Sequence, residues 1–494
     1  MSAPSPRAPA PATGPRRPHV VVVGAGFAGL SAALHLLAAG ARVSVLERAA
    51  TPGGKAGEWR SGGFRFDTGP TLLTLPDVVE ATFAAAGRPC PLDLGRQGGG
   101  TRYVFPSGRV WDVSSDLGRT LAGLEPGEDD AYRRALERAR RLYEAAAPVF
   151  VHAPAPGLPQ LLRYALRHGM AAAPGRRLPQ LLDALGVRGD LRTFFLRFAT
   201  YFGADPFRAP AVLHNIAWVE LGLGPRHVEG GMHALARALE EAVTDLGGEI
   251  RYGGEVRRLV RRGRRVSEVV SDAGATRCDG VVVAVDRTQA LAMLGHAPVS
   301  DREPSLSGLV WLAGVRGTDA RLASHTVFFP EDYEREFHDI RSGRHPRDPT
   351  LYVAISARSD PADAPAGCEN RFVMANAPAL TQRAAGREAE VAEGRRAVHA
   401  VLARHGFEPG EGVVVQRWQT PATFAAFGHR GSLYGAAPHG MLATLRPANA
   451  VAGVPNAALA GGTVHPGGGV PLALLSGRYA AARVARHLDL DTSD

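Results

Sequence analysis

The pattern of residues 20–47 constrains the fold of this chain more than any other feature. Residues 20–23 are a β-branched apolar run, typical of a strand that is buried on both faces. Gly24, Gly26 and Gly29 follow it with the spacing G-x-G-x-x-G. In a dinucleotide-binding turn the first glycine permits the sharp turn, the second lets a pyrophosphate approach the backbone, and the third brings the helix against the strand.

The residues after the glycines complete a strand, turn, helix and strand unit. Apolar residues continue at helical spacing, and a second apolar strand precedes Glu47. Glu47 lies 18 residues after Gly29 (47 − 29), close to the roughly 20-residue offset at which an acid accepts hydrogen bonds from a ribose hydroxyl. The helix N-terminus favours phosphate. The unit therefore predicts NAD or FAD rather than NADP, held by Gly24, Ala25, Gly26, Phe27, Ala28, Gly29, Glu47 and Arg48.

Length and composition limit the remaining choices. A chain of 494 residues predicts two or three domains, and no apolar run is long enough to predict a membrane span. The first 18 residues are rich in Pro and Ala and are typical of a disordered tail. Three widely spaced cysteines predict a reduced, cytosolic context with neither a disulfide framework nor a metal site.

The net charge of +9 (57 − 48) comes almost entirely from arginine. No nucleic-acid motif accompanies this charge, so we expect no nucleic-acid partner. An anionic membrane surface fits better, because residues 152–182 combine prolines, apolar residues and arginines without any acid. Two interpretations of this segment stay open at this stage: a helix in a membrane interface, and a lid packed on the core.

Three further stretches have the residue types of ligand-binding loops. Residues 51–58 form a second glycine-rich loop, in which Lys55 is placed to approach phosphates or a ribose. In the sequence FDTGPT, Asp67 is interpreted as a turn cap rather than a catalytic group. Near the C-terminus a glycine loop precedes Pro471, which suits the first turn of a helix whose positive end points at whatever lies in front of it.

The motifs GAGFAGL, PGGKAGE and FDTGPT, in this order and spacing, resemble those of the FAD-dependent carotenoid desaturases. These enzymes belong to a wider group that contains phytoene desaturase and flavin amine oxidases. The resemblance implies FAD as the cofactor, with its ADP part on the first motif and its ribitol and flavin on the other two. It adds these cofactor-binding residues: Gly54, Lys55, Gly69, Pro70, Thr71 and, through its backbone beside the adenine, Val256.

The C-terminal stretch GG-x-x-HPGGGVP is similar to the closing flavin motif of the same family. The resemblance places Gly462, Val470 and Pro471 at the flavin. It makes His465 a candidate catalytic residue, although a loop-fixing role suits it better. Together with residues 370–378 and 431–440, the closing motif resembles the 1-hydroxycarotenoid 3,4-desaturases (methoxyneurosporene-dehydrogenase type) more than the phytoene desaturases.

The fold implied is α/β: a Rossmann-like FAD-binding domain built from discontinuous segments, a β-sheet substrate domain and a helical, membrane-facing lid. The domain limits we predict are 1–18 for the tail; 19–115, 225–300 and 450–490 for the FAD-binding domain; 116–224 for the lid; and 301–449 for the substrate domain.

The function implied is desaturation of the C3–C4 bond of a 1-hydroxycarotenoid in carotenoid biosynthesis, with hydride transfer to flavin N5. The expected partners are the polyene, a membrane surface and quinone or oxygen as electron acceptor, for a cytoplasmic protein bound peripherally to the membrane. Two alternatives are a phytoene desaturase and, from another class, a non-catalytic lipid carrier with the same nucleotide-binding architecture. The intact glycine turn and Glu47 argue against the carrier.

Overall fold

The structure is a computed structural model that describes residues 16–94, 100–114, 116–169, 175–296, 303–380, 387–408, 410, 412–440 and 444–491. Residues 1–15 of the predicted tail lie outside the described residues, as do residues 170–174 within the segment 152–182 predicted to be a lid or membrane helix.

The strands are β1 (His19–Val23), β2 (Arg42–Leu46), β3 (Glu58–Ser61), β4 (Phe64–Asp67), β5 (Thr101–Val104), β6 (Val110–Val113), β7 (Glu249–Arg251), β8 (Val256–Arg262), β9 (Arg265–Ser271), β10 (Gly274–Arg277), β11 (Gly280–Val283), β12 (Ser307–Arg316), β13 (His325–Phe328), β14 (Leu351–Ile355), β15 (Cys368–Ala377), β16 (Val413–Gln419) and β17 (Ala457–Leu459).

The α-helices are α1 (Phe27–Ala38), α2 (Pro76–Ala84), α3 (Leu117–Ala122), α4 (Asp129–Phe150), α5 (Leu158–His168), α6 (Leu178–Ala184), α7 (Gly189–Arg197), α8 (Asn215–Leu221), α9 (Gly231–Asp245), α10 (Arg287–Met293), α11 (Tyr333–Arg341), α12 (Arg387–Arg404), α13 (Pro421–Ala425) and α14 (Val470–His487).

A parallel five-stranded sheet in the order β17-β11-β1-β2-β7 confirms the predicted α/β class. Its central strand β1 is buried along its whole length, as the β-branched run predicts. Helices α1, α2, α9 and α14 contribute to one apolar core with this sheet. The sheet therefore joins the first and the last segments of the chain.

A second, seven-stranded sheet has the order β16-β12-β15-β14-β13-β5-β6. Its strands pair antiparallel except β13 with β5, which are parallel. Strands β5 and β6 fall within residues 19–115, which we assigned to the nucleotide-binding part, but they pair with the second sheet. The chain thus enters the second sheet earlier than our limits place it, and the limits of the domains stay a prediction.

Helices α3 to α8 occupy the region in which we predicted a helical lid. Residues 116–141, which have one helical pattern, form two helices, because the glycine- and proline-containing residues 123–127 separate α3 from α4. On α5, Leu158, Leu162 and Leu166 are all exposed. Among the helices of the described residues, none combines the length and the apolar character that crossing a bilayer requires.

Candidate active site

The turn after β1 has the backbone that its glycines predict. The Gly24 N–H donates to the Leu46 carbonyl at 2.8 Å, and Gly24 has a φ of +98°. A Cβ at Gly29 would lie 1.9 Å from the Gly24 carbonyl oxygen, so α1 approaches β1 too closely for any side chain there. A Cβ at Gly26, in contrast, would meet no atom within 4 Å. The second glycine of the motif therefore faces open space, as a pyrophosphate cradle requires.

Glu47 is buried at the end of β2 and is held against this turn. Its Oε2 accepts a hydrogen bond from the Ala25 N–H at 2.7 Å, and its Oε1 accepts one from the Ala49 N–H at 2.8 Å. The loop before Val256 approaches the same place, since the Gly254 N–H donates to the Glu47 carbonyl at 3.2 Å. Val256 itself packs in one apolar cluster with residues of β1 and β2.

The second glycine-rich loop docks directly on the first. The Gly53 N–H donates to the Ala25 carbonyl at 2.9 Å. Lys55 reaches away from the turn, and its Nζ donates to the Leu433 carbonyl at 2.7 Å. Burial lowers the pKa of Lys55, and the nearby Asp286 carboxylate opposes that shift. The Lys55 side chain thus connects the second glycine-rich loop to the backbone at Leu433.

Arg48 lies apart from the turn. Its guanidinium donates to the Ala426 carbonyl and lies 5.7 Å from the centre of the Phe427 ring. The backbone of the turn, and not this side chain, faces the open space beside Gly26.

The two ends of the chain meet at this site. Strands β1, β11 and β17 are parallel neighbours, so the loops that follow β1 and β17 leave the same edge of the sheet. Helices α1 and α14 pack so closely that a Cβ at Gly477 would lie 2.2 Å from the Ala28 carbonyl oxygen. The Ser31 hydroxyl also donates to the Leu474 carbonyl at 2.7 Å. The structure therefore brings together the loops that contain Gly26 and Gly462.

A cavity of about 1100 Å³ is lined by residues 69–72, by the closing motif from His465 to Pro471 and by the inner side of α5. Its wall contains six of the residues predicted from the sequence to be cofactor-binding or catalytic: Gly69, Pro70, Thr71, His465, Val470 and Pro471. Aliphatic and aromatic side chains form most of the remaining wall, including Leu161 and Tyr164 of α5. The volume lies above the range of about 300–1,000 Å³ that is usual for small-molecule pockets. The volume and the largely apolar wall suit a large apolar ligand.

One part of the wall is polar. Arg197 and Glu220 both line the cavity, both are largely buried, and they approach each other to 4.0 Å. The Arg197 guanidinium lies 4.8 Å from the centre of the Tyr201 ring and 6.0 Å from that of Tyr352. The pKa of Arg197 is raised despite its burial, because tyrosine hydroxyls and Glu220 surround it. The Arg197 guanidinium therefore stays positively charged although its side chain is buried.

Our sequence analysis missed Arg197 as a site residue. A signal was present, since Arg197 is the only charged residue in residues 194–202, FFLRFATYF. A lone arginine among aromatic residues indicates a buried charge that needs partners. The partners Tyr103, Glu220 and Tyr352 come from distant parts of the chain, and no spacing in the sequence connects them.

His465 lies on the cavity wall with its ring already engaged. Its side-chain Nε2 pairs with the Ala153 carbonyl at 2.8 Å, and its backbone N–H donates to the Pro447 carbonyl. Burial lowers the pKa of its imidazole. These contacts tie the closing loop to the end of α4 and favour the positioning role over the catalytic one.

The residues fit the dinucleotide that the sequence predicts. The Gly26 turn and the loop before α14 follow β1 and β17 at the same edge of the sheet, and the buried Glu47 carboxylate is bonded to the Gly26 turn. A Cβ at Gly469, which directly precedes α14, would also meet no atom within 4 Å. Backbone N–H groups and open glycines at both loops are the features that a pyrophosphate and a flat ring require.

A family model described as flavin containing amine oxidoreductase matches residues 27–485. The chain is 38% identical to the phytoene dehydrogenase of Streptomyces griseus, with 94% of this chain and 95% of that protein covered. It is 36% identical to the hydroxyneurosporene desaturase of Cereibacter sphaeroides (95% and 98% covered). It is 30% identical to the 1-hydroxycarotenoid 3,4-desaturase of a Flavobacterium species (93% and 98% covered).

Solved structures agree on the fold. Putrescine oxidase bound to putrescine matches with a TM-score of 0.63 at 14% identity, covering 95% of this chain and 99% of that one. Cyclohexylamine oxidase from Brevibacterium oxydans matches with a TM-score of 0.61 at 17% identity, covering 96% and 100%.

Proposed function

Because this chain belongs to the flavin containing amine oxidoreductase family and is homologous to carotenoid desaturases over nearly its whole length, we propose that it introduces the C3–C4 double bond into an acyclic 1-hydroxycarotenoid. FAD is its cofactor and the protein is an FAD-dependent oxidoreductase. The observation that carries the proposal is the apolar cavity that is lined by residues 69–72, by the closing motif and by α5.

FAD, when bound, supplies the two-electron oxidation that a desaturation requires. The protein contributes binding and orientation: Gly24, Gly26, Gly29 and Glu47 hold the ADP part, and the loop before α14 holds the ring. The apolar wall keeps water away from a substrate carbon that becomes electron-poor. A polyene has no group that must be activated, so we assign no strong protein base.

Two observations favour a hydroxylated substrate. Three relatives at 34–36% identity are hydroxyneurosporene desaturases. The cavity wall also contains the buried Arg197 and Glu220, which a pure hydrocarbon does not need. The phytoene dehydrogenase relative supports the second candidate, a desaturase of the phytoene type.

The test is product analysis with both substrate classes. Purified protein with FAD is incubated with liposomes that carry either phytoene or a 1-hydroxycarotenoid. The products are separated by chromatography and their masses are determined by mass spectrometry. We expect a product two hydrogens lighter from the hydroxylated polyene. Efficient conversion of phytoene without any action on the hydroxylated polyene would contradict the proposal and support the second candidate.

We further propose a cytoplasmic protein that binds the membrane surface peripherally and passes electrons to quinone or oxygen. The exposed leucines of α5 lie beside the cavity and support this location, because an insoluble polyene is taken from a lipid phase. Turnover without oxygen, with and without an added quinone, distinguishes the two acceptors.

A further inference from the structure

The polar part of the cavity wall is built around Arg197. Its Nη1 donates to the Tyr103 hydroxyl at 3.2 Å, and that hydroxyl lies 3.4 Å from the Glu220 carboxylate. Arg197, Tyr201, Glu220 and Tyr352 all line the cavity. A buried ion pair is costly to desolvate, and a hydrocarbon ligand gains nothing from it. The residues therefore indicate that part of the ligand is polar.

Tyr333 adds a group that has no partner. Its side chain lines the same cavity and is more than nine-tenths buried. Its hydroxyl is buried and makes no hydrogen bond to any described residue. The Phe329 ring connects it to the Arg197 cluster, because the centre of that ring lies 5.6 Å from the Tyr333 ring and 6.1 Å from the Tyr103 ring. A buried hydroxyl without a partner is unfavourable, so this one is left available for a ligand oxygen.

The Arg197 cluster is connected to the loop of Thr71 through Tyr352. The Thr71 hydroxyl, in the loop predicted to contact the flavin, lies 2.7 Å from the Tyr352 hydroxyl. The Tyr352 ring lies in turn 6.0 Å from the Arg197 guanidinium. One tyrosine side chain therefore separates the Arg197 cluster from the oxidising end of the cavity.

That position matches the chemistry of the proposed substrate. In a 1-hydroxycarotenoid a single carbon separates the hydroxylated carbon from the first carbon of the bond to be oxidised. A group that binds the hydroxyl must therefore lie next to the flavin. We propose that the Tyr333 hydroxyl, in the same cavity wall as Arg197 and Glu220, binds the terminal tertiary hydroxyl of the substrate and so selects hydroxylated polyenes. This inference rests on the proposed function.

The test compares Tyr333→Phe with the wild-type holoenzyme. The change removes only a hydroxyl that has no partner, so we expect the variant to fold with unchanged or slightly raised thermal stability. The matched control is Tyr164→Phe, which alters a tyrosine on the outer part of the same cavity wall. For each protein kcat/KM is measured with a 1-hydroxycarotenoid and with the same polyene lacking the hydroxyl.

We expect Tyr333→Phe to lower the preference for the hydroxylated polyene by about two- to tenfold, the value of one hydrogen bond, and Tyr164→Phe to leave it unchanged. An unchanged preference in Tyr333→Phe would overturn the inference and leave the proposed function intact. A binding assay for both polyenes, in which quenching of tryptophan fluorescence is measured, tests the role of Tyr333 separately from the proposed desaturation. A binding preference that Tyr333→Phe abolishes supports the inference even if the wild type oxidises neither polyene, whereas equal binding by the wild type overturns it.

Discussion

At the scale of the residue, a substitution at Gly26 should weaken cofactor binding without affecting folding. Its backbone is extended, with a φ of −75°, which any residue adopts, and a Cβ there would meet no atom within 4 Å. Gly26→Ala should therefore fold normally and lose at least about tenfold in FAD affinity, because the methyl group occupies the pyrophosphate's approach. Flavin absorbance of the purified variant and a titration with FAD measure the effect. Gly29→Ala is the contrasting variant and should impair folding itself.

Arg65 holds three carboxylates inside the protein. Its guanidinium pairs with Glu58 at 2.7 Å, Asp67 at 2.9 Å and Asp363 at 2.9 Å, and only 3% of its side chain is exposed. Arg65→Ala leaves buried carboxylates without a counter-charge and should lower the free energy of unfolding by about 3–5 kcal/mol in urea denaturation. The control is Arg60→Ala on the neighbouring strand β3, whose side chain is 67% exposed in its pair with Glu58, with an expected cost below about 1 kcal/mol. Equal losses in the two variants would refute this account.

Glu336 makes stability depend on pH. Burial raises its pKa to about 7 from an ordinary value of 4.5, against hydrogen bonds from Thr350 and Asn376. The folded state thus holds the proton more tightly, so the free energy of unfolding falls as pH rises from about 4.5 to about 7. Glu336→Gln removes this loss and should be the more stable protein by up to about 3 kcal/mol at pH 8, and by less than about 1 kcal/mol at pH 5.

Urea denaturation of the wild type and of Glu336→Gln at the two pH values measures this difference. Glu334→Gln, on the exposed face of the same helix, is the control for the loss of a carboxylate. A stability difference that is the same at both pH values would show that Glu336 is not the source.

At the scale of the element, local patterns predicted local structure well. The glycine turn, α1, the hairpin of β3 and β4 and the proline-led α14 follow from residues close in sequence. The pairing of β5 with β13 and the cluster around Arg197 depend on contacts between residues more than 90 positions apart. No local propensity encodes such contacts. A β-sheet domain was predicted for residues 301–449, but the entry of β5 and β6 into that sheet and the polar part of the cavity wall appear only in the fold. Asp67 is a further example. The sequence indicated a cap of its own local turn, but its carboxylate accepts a hydrogen bond from the His233 N–H, on a helix far along the chain.

Helix α5 is the element that we expect to contact lipid. Leu158, Leu162 and Leu166 recur every four residues and are exposed, and the cavity is lined by Leu162 together with Leu161 and Tyr164. Replacing the three exposed leucines with Ser should weaken binding to phosphatidylglycerol-containing vesicles at least about tenfold, because each leucine contributes apolar area. Sedimentation with vesicles measures the binding, and added salt should weaken it further by screening the arginines.

The control for α5 is a second triple variant with Ser at Val110, Leu117 and Val414. These residues are also exposed apolar side chains, Val110 to 57%, Leu117 to 43% and Val414 to 45%, but they lie on other elements. If both triple variants lost vesicle binding equally, general hydrophobicity and not α5 would be responsible.

At the scale of the whole molecule, the cofactor site depends on segments from both ends of the chain. Gly26 and Glu47 come from the first unit, Val256 from the middle, and Gly462 and Pro471 from the last. Helix α14 packs on α1 and β17 extends the sheet beyond β11, so loss of the C-terminal segment would open the site as well as the core. A ligand that bridges such segments binds the folded state alone and stabilises it.

Removal of FAD should therefore lower the stability of the whole protein. At a free FAD concentration of 100 times Kd, the gain in the free energy of unfolding should be about 2.7 kcal/mol, and Tm should rise with FAD concentration. Thermal denaturation of the FAD-free protein across a series of FAD concentrations measures this dependence. In Gly26→Ala the same series should shift to higher FAD concentration while the Tm without FAD stays that of the wild type. A wild-type Tm that does not respond to FAD would mean that the two ends of the chain do not form one binding site, because linkage requires that a ligand bound only by the folded state stabilise it.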